Sequence, residues 1–204
     1  MIKNIVFDFG GVLMDWDPRY FFRDYFKDDE KMEYFLANIC NGVWNAEQDR
    51  GRTFEEGVQI LQAEHPEFAK EIQLYDEHWE TMIKGEFPRT VELLHRLKEA
   101  GYALYGLTNW SAEKFPYVLH KYEFFSLFEG IVVSGEEKCI KPDPEIYRIL
   151  LSRYNLRPEE TVFIDDNQIN LDTARSLGIR TVLFDSYENA AARLESILGR
   201  SGLK

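Results

Sequence analysis

The sequence VFDFGGVL, residues 6–13, contains the clearest sign of the fold in this chain. Its apolar run stops at Asp8, and the pair Gly10 and Gly11 follows at once. A short apolar run that ends in a glycine-rich turn is typical of a strand buried on both faces of a parallel sheet. The sequence therefore predicts a first strand that carries a carboxylate, Asp8, at its carboxyl end.

Further apolar runs of the same kind follow along the chain, and each ends at polar or small residues. These runs cover residues 102–107, 131–133, 162–164 and 181–184. Helical patterns lie between them, for example Val91, Leu94 and Leu97 ahead of Gly101. Alternating strands and helices favour an α/β fold, here a Rossmann-like parallel sheet covered by helices on both faces.

The stretch from 17 to 86 breaks this alternation, because its apolar residues recur at helical spacing only. The pattern predicts helices over 20–26, 31–39, 54–63 and 68–83, with turns at Asn41-Gly42 and Arg50-Gly51-Arg52. We therefore predict a small all-helical cap domain, 17–86, inserted after the first strand. The core domain would consist of 1–16 and 87–204. A helical block over the end of a sheet is typical of a lid on an active site.

Composition argues against several classes of protein. The 204 residues carry 24 Lys and Arg against 36 Asp and Glu, and the net charge of -12 disfavours nucleic acid and anionic membranes as partners. Cys40 and Cys139 stand far apart, which disfavours a disulfide framework and suits a reducing compartment. No apolar run approaches the ~18 residues of a membrane span, and Asp8 comes too soon for a secretory signal. We expect a cytoplasmic protein.

Polar residues follow three of the predicted strands: Asp8, Thr108 and the pair Asp165-Asp166. Ligands of a parallel α/β sheet bind at the carboxyl ends of its strands, so these side chains should meet there. Asp8, flanked by glycines without side chains, is open to attack an electrophile. Carboxylates brought together repel unless a cation lies between them, and oxygen ligands at a phosphoryl site favour Mg²⁺. Lys141, on a proline-stiffened loop, supplies a positive charge for Asp8 and for a phosphate.

These segments together resemble the four motifs of the haloacid dehalogenase superfamily. They are residues 6–13, Leu107-Thr108-Asn109, Lys141-Pro142 and residues 163–167, in the order that the family shows. Each segment is weak alone, and their joint occurrence over almost the whole chain is specific. The predicted cap resembles the small helical cap of the family. The most similar branch is that of the bacterial alpha-D-glucose-1-phosphate phosphatases, which share a glycine-containing cap turn like Asp49-Arg50-Gly51.

The resemblance implies a role for each motif residue. Asp8 would be the nucleophile that forms an aspartyl-phosphate intermediate. Thr108 and the Asn109 backbone would hold a phosphate oxygen, and Lys141 would neutralise its charge. The residues implied as ligands of Mg²⁺ are Asp8, the backbone carbonyl of Gly10, Asp166 and Asp165, the last in or near the ligand shell.

Gly10 departs from the usual phosphatase pattern, which places a second aspartate at this position as general acid and base. Glycine cannot transfer a proton, and the loss of a general acid typically costs on the order of 10²- to 10⁴-fold in rate. Either water, Asp15 or a cap residue protonates the leaving oxygen, or catalysis is slow.

Candidate substrate contacts lie in the cap and next to the second motif. The cap turn at Arg50 combines a cation with the nearby aromatic Trp44, as a substrate-facing loop would. Trp110, next to Asn109, is placed to close the site from the core side. The alternatives are an exposed polar turn around Arg50 and a Trp110 that simply packs under the cap.

Together these features predict a Mg²⁺-dependent phosphomonoester hydrolase that acts on a small phosphorylated metabolite, with a sugar phosphate as one candidate. A second hypothesis is a 2-haloacid dehalogenase, in which Asp8 attacks carbon. The Asp165-Asp166 pair argues against it, because dehalogenases of the superfamily carry uncharged residues there. A third hypothesis, favoured by Gly10, is a weakly catalytic protein that binds a phosphorylated ligand.

Overall fold

Seven strands within residues 1–199, the part of the chain that the computed structural model describes, form two sheets. The strands are β1 Asn4–Phe7, β2 Met14–Trp16, β3 Ile83–Glu86, β4 Ala103–Thr108, β5 Gly130–Val133, β6 Thr161–Asp165 and β7 Arg180–Leu183. Five of them form one parallel sheet in the order β5-β4-β1-β6-β7, which confirms the predicted α/β class. Residues 200–204, the end of the predicted core domain, lie outside the described residues.

Helices surround this sheet and account for most of the remaining chain. Their bounds are α1 Arg19–Phe26, α2 Asp29–Asn38, α3 Gly42–Asp49, α4 Phe54–Glu64, α5 Ala69–Glu77, α6 Pro88–Glu99, α7 Phe115–Lys121, α8 Ser134–Glu137, α9 Pro144–Arg153, α10 Gln168–Ser176 and α11 Tyr187–Leu198. None of these helices is long and apolar enough to cross a bilayer.

The two faces of β1 bury different side chains against different helices. Ile5 and Phe7 belong to the core that includes leucines of α6 and Leu194 of α11. Val6 points the other way, into the core formed with α9 and α10. Successive residues of a strand alternate between its faces, so an unbroken apolar run is what two covered faces require.

An aromatic cluster fixes the turn that follows β1. Phe9 packs against Phe115, Phe125 and Phe128, with ring centroids 5.2 to 6.1 Å apart. Its ring lies against Gly106 of β4, where any side-chain carbon would collide with it. The glycine in β4 therefore makes room for Phe9, and this packing holds the neighbouring Asp8 at the edge of the sheet.

The cap domain differs from the prediction in two places. Asn41 begins α3 rather than a turn, because its side-chain oxygen accepts a hydrogen bond from the backbone N–H of Trp44. The single helix predicted over 68–83 is instead α5, a 3-10 turn at Trp79–Met82 and the start of β3. Strands β2 and β3 pair as an antiparallel ribbon where the chain enters and leaves the cap, so the stretch 17–86 is not entirely helical.

Candidate active site

Asp8, Lys141 and Asp165 form a buried ion cluster at the carboxyl edge of the sheet. The Lys141 ammonium lies 2.8 Å from Oδ1 of Asp8 and 2.7 Å from Oδ2 of Asp165. Asp8 and Asp165 lie at the ends of β1 and β6, which are neighbours in the sheet. Ion pairs removed from water cost desolvation energy, so a buried cluster of this kind points to a functional role.

Asn109 holds the backbone of Lys141 in place. Its side-chain nitrogen donates to the Lys141 carbonyl at 3.0 Å, and its side-chain oxygen accepts from the Lys141 N–H at 2.8 Å. The loop that carries the lysine is thereby fixed to the end of β4. Burial alone would lower the pKa of the Lys141 ammonium, but Asp8 and Asp165 outweigh burial and raise it, so the lysine stays charged.

The two aspartates of the fourth motif have different surroundings. Asp165 is fully occupied, since it accepts hydrogen bonds from Asn170, the backbone of Asn167 and Lys141. Asp166 is exposed and carries an oxygen so close to Gly11 that a side chain at Gly11 would collide with it. Asp165 is thus placed to position Lys141, and Asp166 is the freer of the two carboxylates.

The carboxylates of Asp8, Asp165 and Asp166 fit a divalent cation. Each offers one oxygen, and these oxygens all lie within 4.8 Å of one another. Burial raises the pKa of Asp8, and the neighbouring Asp165 and Asp166 raise it further, while Lys141 opposes them. A cation between these oxygens would offset that repulsion, and carboxylate oxygens are the ligands that Mg²⁺ prefers.

Thr108 carries an unused donor next to this cluster. The side chain is fully buried at the end of β4, and its hydroxyl has no hydrogen-bond partner among the described residues. A buried hydroxyl without a partner costs about 1–3 kcal/mol, so a water molecule or a ligand is needed to satisfy it. An oxygen of a bound phosphate would satisfy it.

A cavity of about 90 Å³ opens beside Gly10 between the core and the cap. Four core residues line it: Gly10, Asn109, Trp110 and Ser111. Four residues of β2 and the cap close it: Trp16, Asn45, Asp49 and Trp79. The cavity is walled by aromatic faces with a few polar groups between them, which is the usual make-up of a small-molecule site.

Comparison with known proteins identifies the family. The family of haloacid dehalogenase-like hydrolases matches residues 2–178. The chain belongs to this family. The match includes both the cluster at Asp8 and the cap, so the resemblance stated from the four motifs is confirmed at the level of the superfamily.

The hydrolase resembles both a much longer protein and proteins of similar length. It is 28% identical over 202 residues to drimenol cyclase drtB of Aspergillus calidoustus, covering 98% of the chain but only 37% of that protein. It is 29% identical over 178 residues to sesquiterpene phosphatase astK of Aspergillus oryzae, covering 87% of each chain. A magnesium complex of a family enzyme from Bacteroides thetaiotaomicron matches with a TM-score of 0.74 and 25% identity, covering 95% of this chain and 98% of that one.

Two predicted substrate contacts of the hydrolase lie away from the cavity. Trp44 is buried inside the cap, where its indole N–H donates to the carbonyl of Gly57 and its ring packs against Phe54 and Tyr75. This residue therefore forms part of the cap core. Arg50 is partly exposed and lies 3.7 Å from Glu47, outside the cavity lining. The substrate-binding role predicted for these two side chains does not fit their positions.

Cap residues that the sequence did not single out line the cavity instead. Trp110 also lines the cavity, and its predicted contact with substrate stays a prediction, whereas the sequence patterns did not point to Trp16, Asn45 or Trp79. Asp49, next to Arg50 in the cap turn, also lines the cavity. Asp15, an alternative proton donor, instead accepts a hydrogen bond from the Tyr20 hydroxyl and does not line it.

Proposed function

We propose that this hydrolase is a Mg²⁺-dependent phosphomonoesterase that transfers the phosphoryl group of a small metabolite first to Asp8 and then to water. The observation that carries the proposal is the arrangement around Asp8. A buried carboxylate is paired to a buried lysine, beside an unpartnered hydroxyl at Thr108 and the further carboxylate of Asp166. A nucleophile, a phosphate-binding donor and a metal site thus meet at one edge of the sheet.

Each residue has a definite task in this reaction. Asp8 attacks phosphorus and forms the covalent intermediate. The Lys141 ammonium, the Thr108 hydroxyl and the Asn109 backbone stabilise the charge on the phosphoryl oxygens. Asp8, Asp166 and the carbonyl of Gly10 would hold Mg²⁺, with Asp165 beside them. When bound, the ion supplies charge that draws the phosphate dianion to a negatively charged nucleophile.

The cavity supports a small substrate with both apolar and polar groups. A lining of tryptophans together with the polar side chains of Asn45 and Ser111 suits a sugar phosphate, whose ring carries hydroxyls around an apolar face. The similarity to a sesquiterpene phosphatase makes a terpenyl phosphate the main rival, because the same aromatic walls would accept a hydrocarbon chain. The free thiols of Cys40 and Cys139 fit a reducing compartment, and we propose the cytoplasm.

The test is phosphate release from sugar phosphates, a terpenyl phosphate and an aryl phosphate, with Mg²⁺ and with EDTA. We expect Mg²⁺-dependent turnover by the wild type and none by Asp8→Asn, which keeps the shape of the side chain. Turnover that survives in Asp8→Asn or in EDTA would contradict the proposal. Halide release from 2-chloropropionate without phosphate release would instead support the dehalogenase hypothesis.

A further inference from the structure

The reaction at Asp8 needs a proton donor that the ion cluster does not supply. An alkoxide leaving group is strongly basic, so protonation of the leaving oxygen contributes typically 10²- to 10⁴-fold to such reactions. Lys141 is fully engaged with Asp8 and Asp165, and Gly10 has no side chain. A methyl group built on Gly10 would meet no atom within 4 Å, so the space over this residue is open for the leaving group.

Asp49 lines the same cavity from the side of the cap. Of the eight residues that line the cavity in the described part of the chain, Asp49 is the only one with an acidic or basic side chain. Asn45 donates a side-chain N–H to the Asp49 carboxylate at 3.3 Å, and the backbone N–H of Ser111 lies near enough to this carboxylate to favour its ionised form. These contacts come from the core and from α3, so the carboxyl is held between the two domains.

The backbone of Asp49 is fixed to the core as well. The Ser134 hydroxyl donates to the Asp49 carbonyl, and it also accepts from the N–H of Trp110. One hydroxyl therefore links the cap residue to the chain that follows the phosphate-binding end of β4. The carboxyl keeps its place relative to Asp8 as long as the cap remains docked.

Two unused donors show that the cavity is built for a polar ligand. The indole N–H groups of Trp16 and Trp110 are buried and have no hydrogen-bond partner within residues 1–199. Both residues line the same cavity as Asp49. Buried indole N–H groups usually find a partner, so oxygen atoms of a bound molecule are the acceptors that this site lacks.

The acidity of Asp49 suits a group that gives and takes a proton near neutral pH. Burial raises the pKa of its carboxyl to about 7, against the opposing effects of the Ser111 N–H and of Lys141. An ideal general acid and base has a pKa close to the working pH, because both protonation states are then available.

We propose that Asp49 is the general acid and base of this hydrolase, an assignment that rests on the proposed function. In the first step Asp8 forms a bond to phosphorus, the bond from phosphorus to the leaving oxygen breaks, and protonated Asp49 gives its proton to that oxygen. In the second step ionised Asp49 takes a proton from water as the water oxygen bonds to phosphorus. The bond between Asp8 and phosphorus then breaks, which releases phosphate and restores both carboxyls.

The test compares Asp49→Asn with wild type on two leaving groups, in the presence of Mg²⁺. The leaving group of glucose 6-phosphate is a strongly basic alkoxide, which needs a proton. The leaving group of p-nitrophenyl phosphate is a weakly basic phenoxide, which needs none. We expect Asp49→Asn to slow formation of the Asp8 intermediate on the order of 10²-fold or more with the sugar phosphate and less than about tenfold with the aryl phosphate. Asp15→Asn is the matched control and should leave both rates unchanged.

A second variant separates chemistry from damage to the fold. Gly10→Asp places a carboxyl in the open space over residue 10. The double variant Asp49→Asn/Gly10→Asp should therefore regain a large part of the rate that Asp49→Asn loses on glucose 6-phosphate. Equal losses in the rate of intermediate formation on both substrates, or full activity of Asp49→Asn on the sugar phosphate, would overturn the assignment of Asp49. If the wild type itself shows no turnover that depends on Asp8, the proposed function fails first, and the role of Asp49 fails with it.

Discussion

Two buried threonines show how hydrogen bonding at single residues separates function from structure. Thr108 has an unpartnered hydroxyl. Thr161, at the start of β6, donates to the carbonyl of Arg157 and accepts from the side chain of Asn4. Both side chains are completely buried, so burial alone does not distinguish them. The hydroxyl of Thr161 stabilises the folded chain, while we propose that the hydroxyl of Thr108 donates to a bound phosphate.

Thr108→Val should therefore lower activity without lowering stability. Valine fills the same volume, and no protein hydrogen bond is lost, so the melting temperature should stay the same or rise. Loss of one donor to the transferring phosphoryl group should reduce kcat/KM on the order of 10²-fold. Steady-state kinetics and thermal unfolding measure the two effects separately.

Thr161→Val is the control with the opposite expectation. It removes two buried hydrogen bonds far from Asp8 and should lower the free energy of unfolding by about 1–3 kcal/mol, with little change in kcat/KM measured below the melting temperature. A Thr108→Val variant that unfolds as readily as Thr161→Val while keeping its activity would contradict the role assigned to Thr108.

Among the strands and helices, the sequence predicted the strands that are unbroken apolar runs and missed those that are not. The strands of the parallel sheet lie within a few residues of their predicted positions, because each is an unbroken apolar run that ends at a polar residue. Strand β2 is Met-Asp-Trp and β3 is Ile-Lys-Gly-Glu, so neither contains an apolar run that would mark it as a strand. Helix α3 begins with Asn41 and Gly42, which also form turns, so only its packing settles its conformation.

The residues of the candidate site also differ in how far the sequence could identify them. Asp8, Lys141 and Asp166 follow apolar runs or lie in recognisable motifs. The sequence alone therefore predicted that they lie in one site. Trp44 and Asp49 lie on the same helix and face different surroundings, and an eight-residue helix with weak amphipathic character gives no means to tell which faces the core domain. Contacts between the cap and the core are decided by tertiary packing, which single-sequence patterns do not contain.

The turn after α3 should be the contact through which the cap acts on catalysis. Gly51 has a φ of +102°, and a side-chain carbon there would lie 2.8 Å from the carbonyl oxygen of Gly135. Gly51→Ala should push this turn off the core, displace Asp49 and lower kcat/KM on the best substrate by about tenfold or more. Kinetics on that substrate, with thermal unfolding as a check, measure the effect.

Gly101→Ala is the control for Gly51→Ala. Gly101 also has a positive φ, +87°, but a side chain there would meet open space. The alanine should cost roughly 1 kcal/mol of stability through backbone strain and leave kcat/KM unchanged. Equal kinetic effects of the two substitutions would show that the cap turn has no special role.

For the whole molecule, the raised pKa of the Asp49 carboxyl makes the free energy of unfolding depend on pH. The chain carries a net charge of -12, and the pKa of Asp49 is raised to about 7, above the ~3.9 of an aspartate in an unfolded chain. Between these two values the folded state binds more protons than the unfolded state. Stability from this group is therefore present at low pH and is lost as the pH rises towards and through 7.

The Asp49→Asn variant should lack this loss. In EDTA, the melting temperature of the variant minus that of the wild type should increase as the pH rises from 5 to 8, because the amide never ionises. Thermal unfolding of both proteins at each pH measures the difference. A difference that stays constant over this range would mean that the Asp49 carboxyl ionises as readily in the folded chain as in the unfolded one.

If Asp8 carries the phosphoryl group during turnover, the covalent intermediate can be trapped. The enzyme is mixed with its best phosphorylated substrate and Mg²⁺, quenched in acid within one turnover, and digested for mass spectrometry. We expect one phosphoryl group on the peptide that contains Asp8, and none on this peptide in EDTA or in Asp8→Asn. Turnover with no phosphoryl group on this peptide, or with the group on another residue, would contradict it.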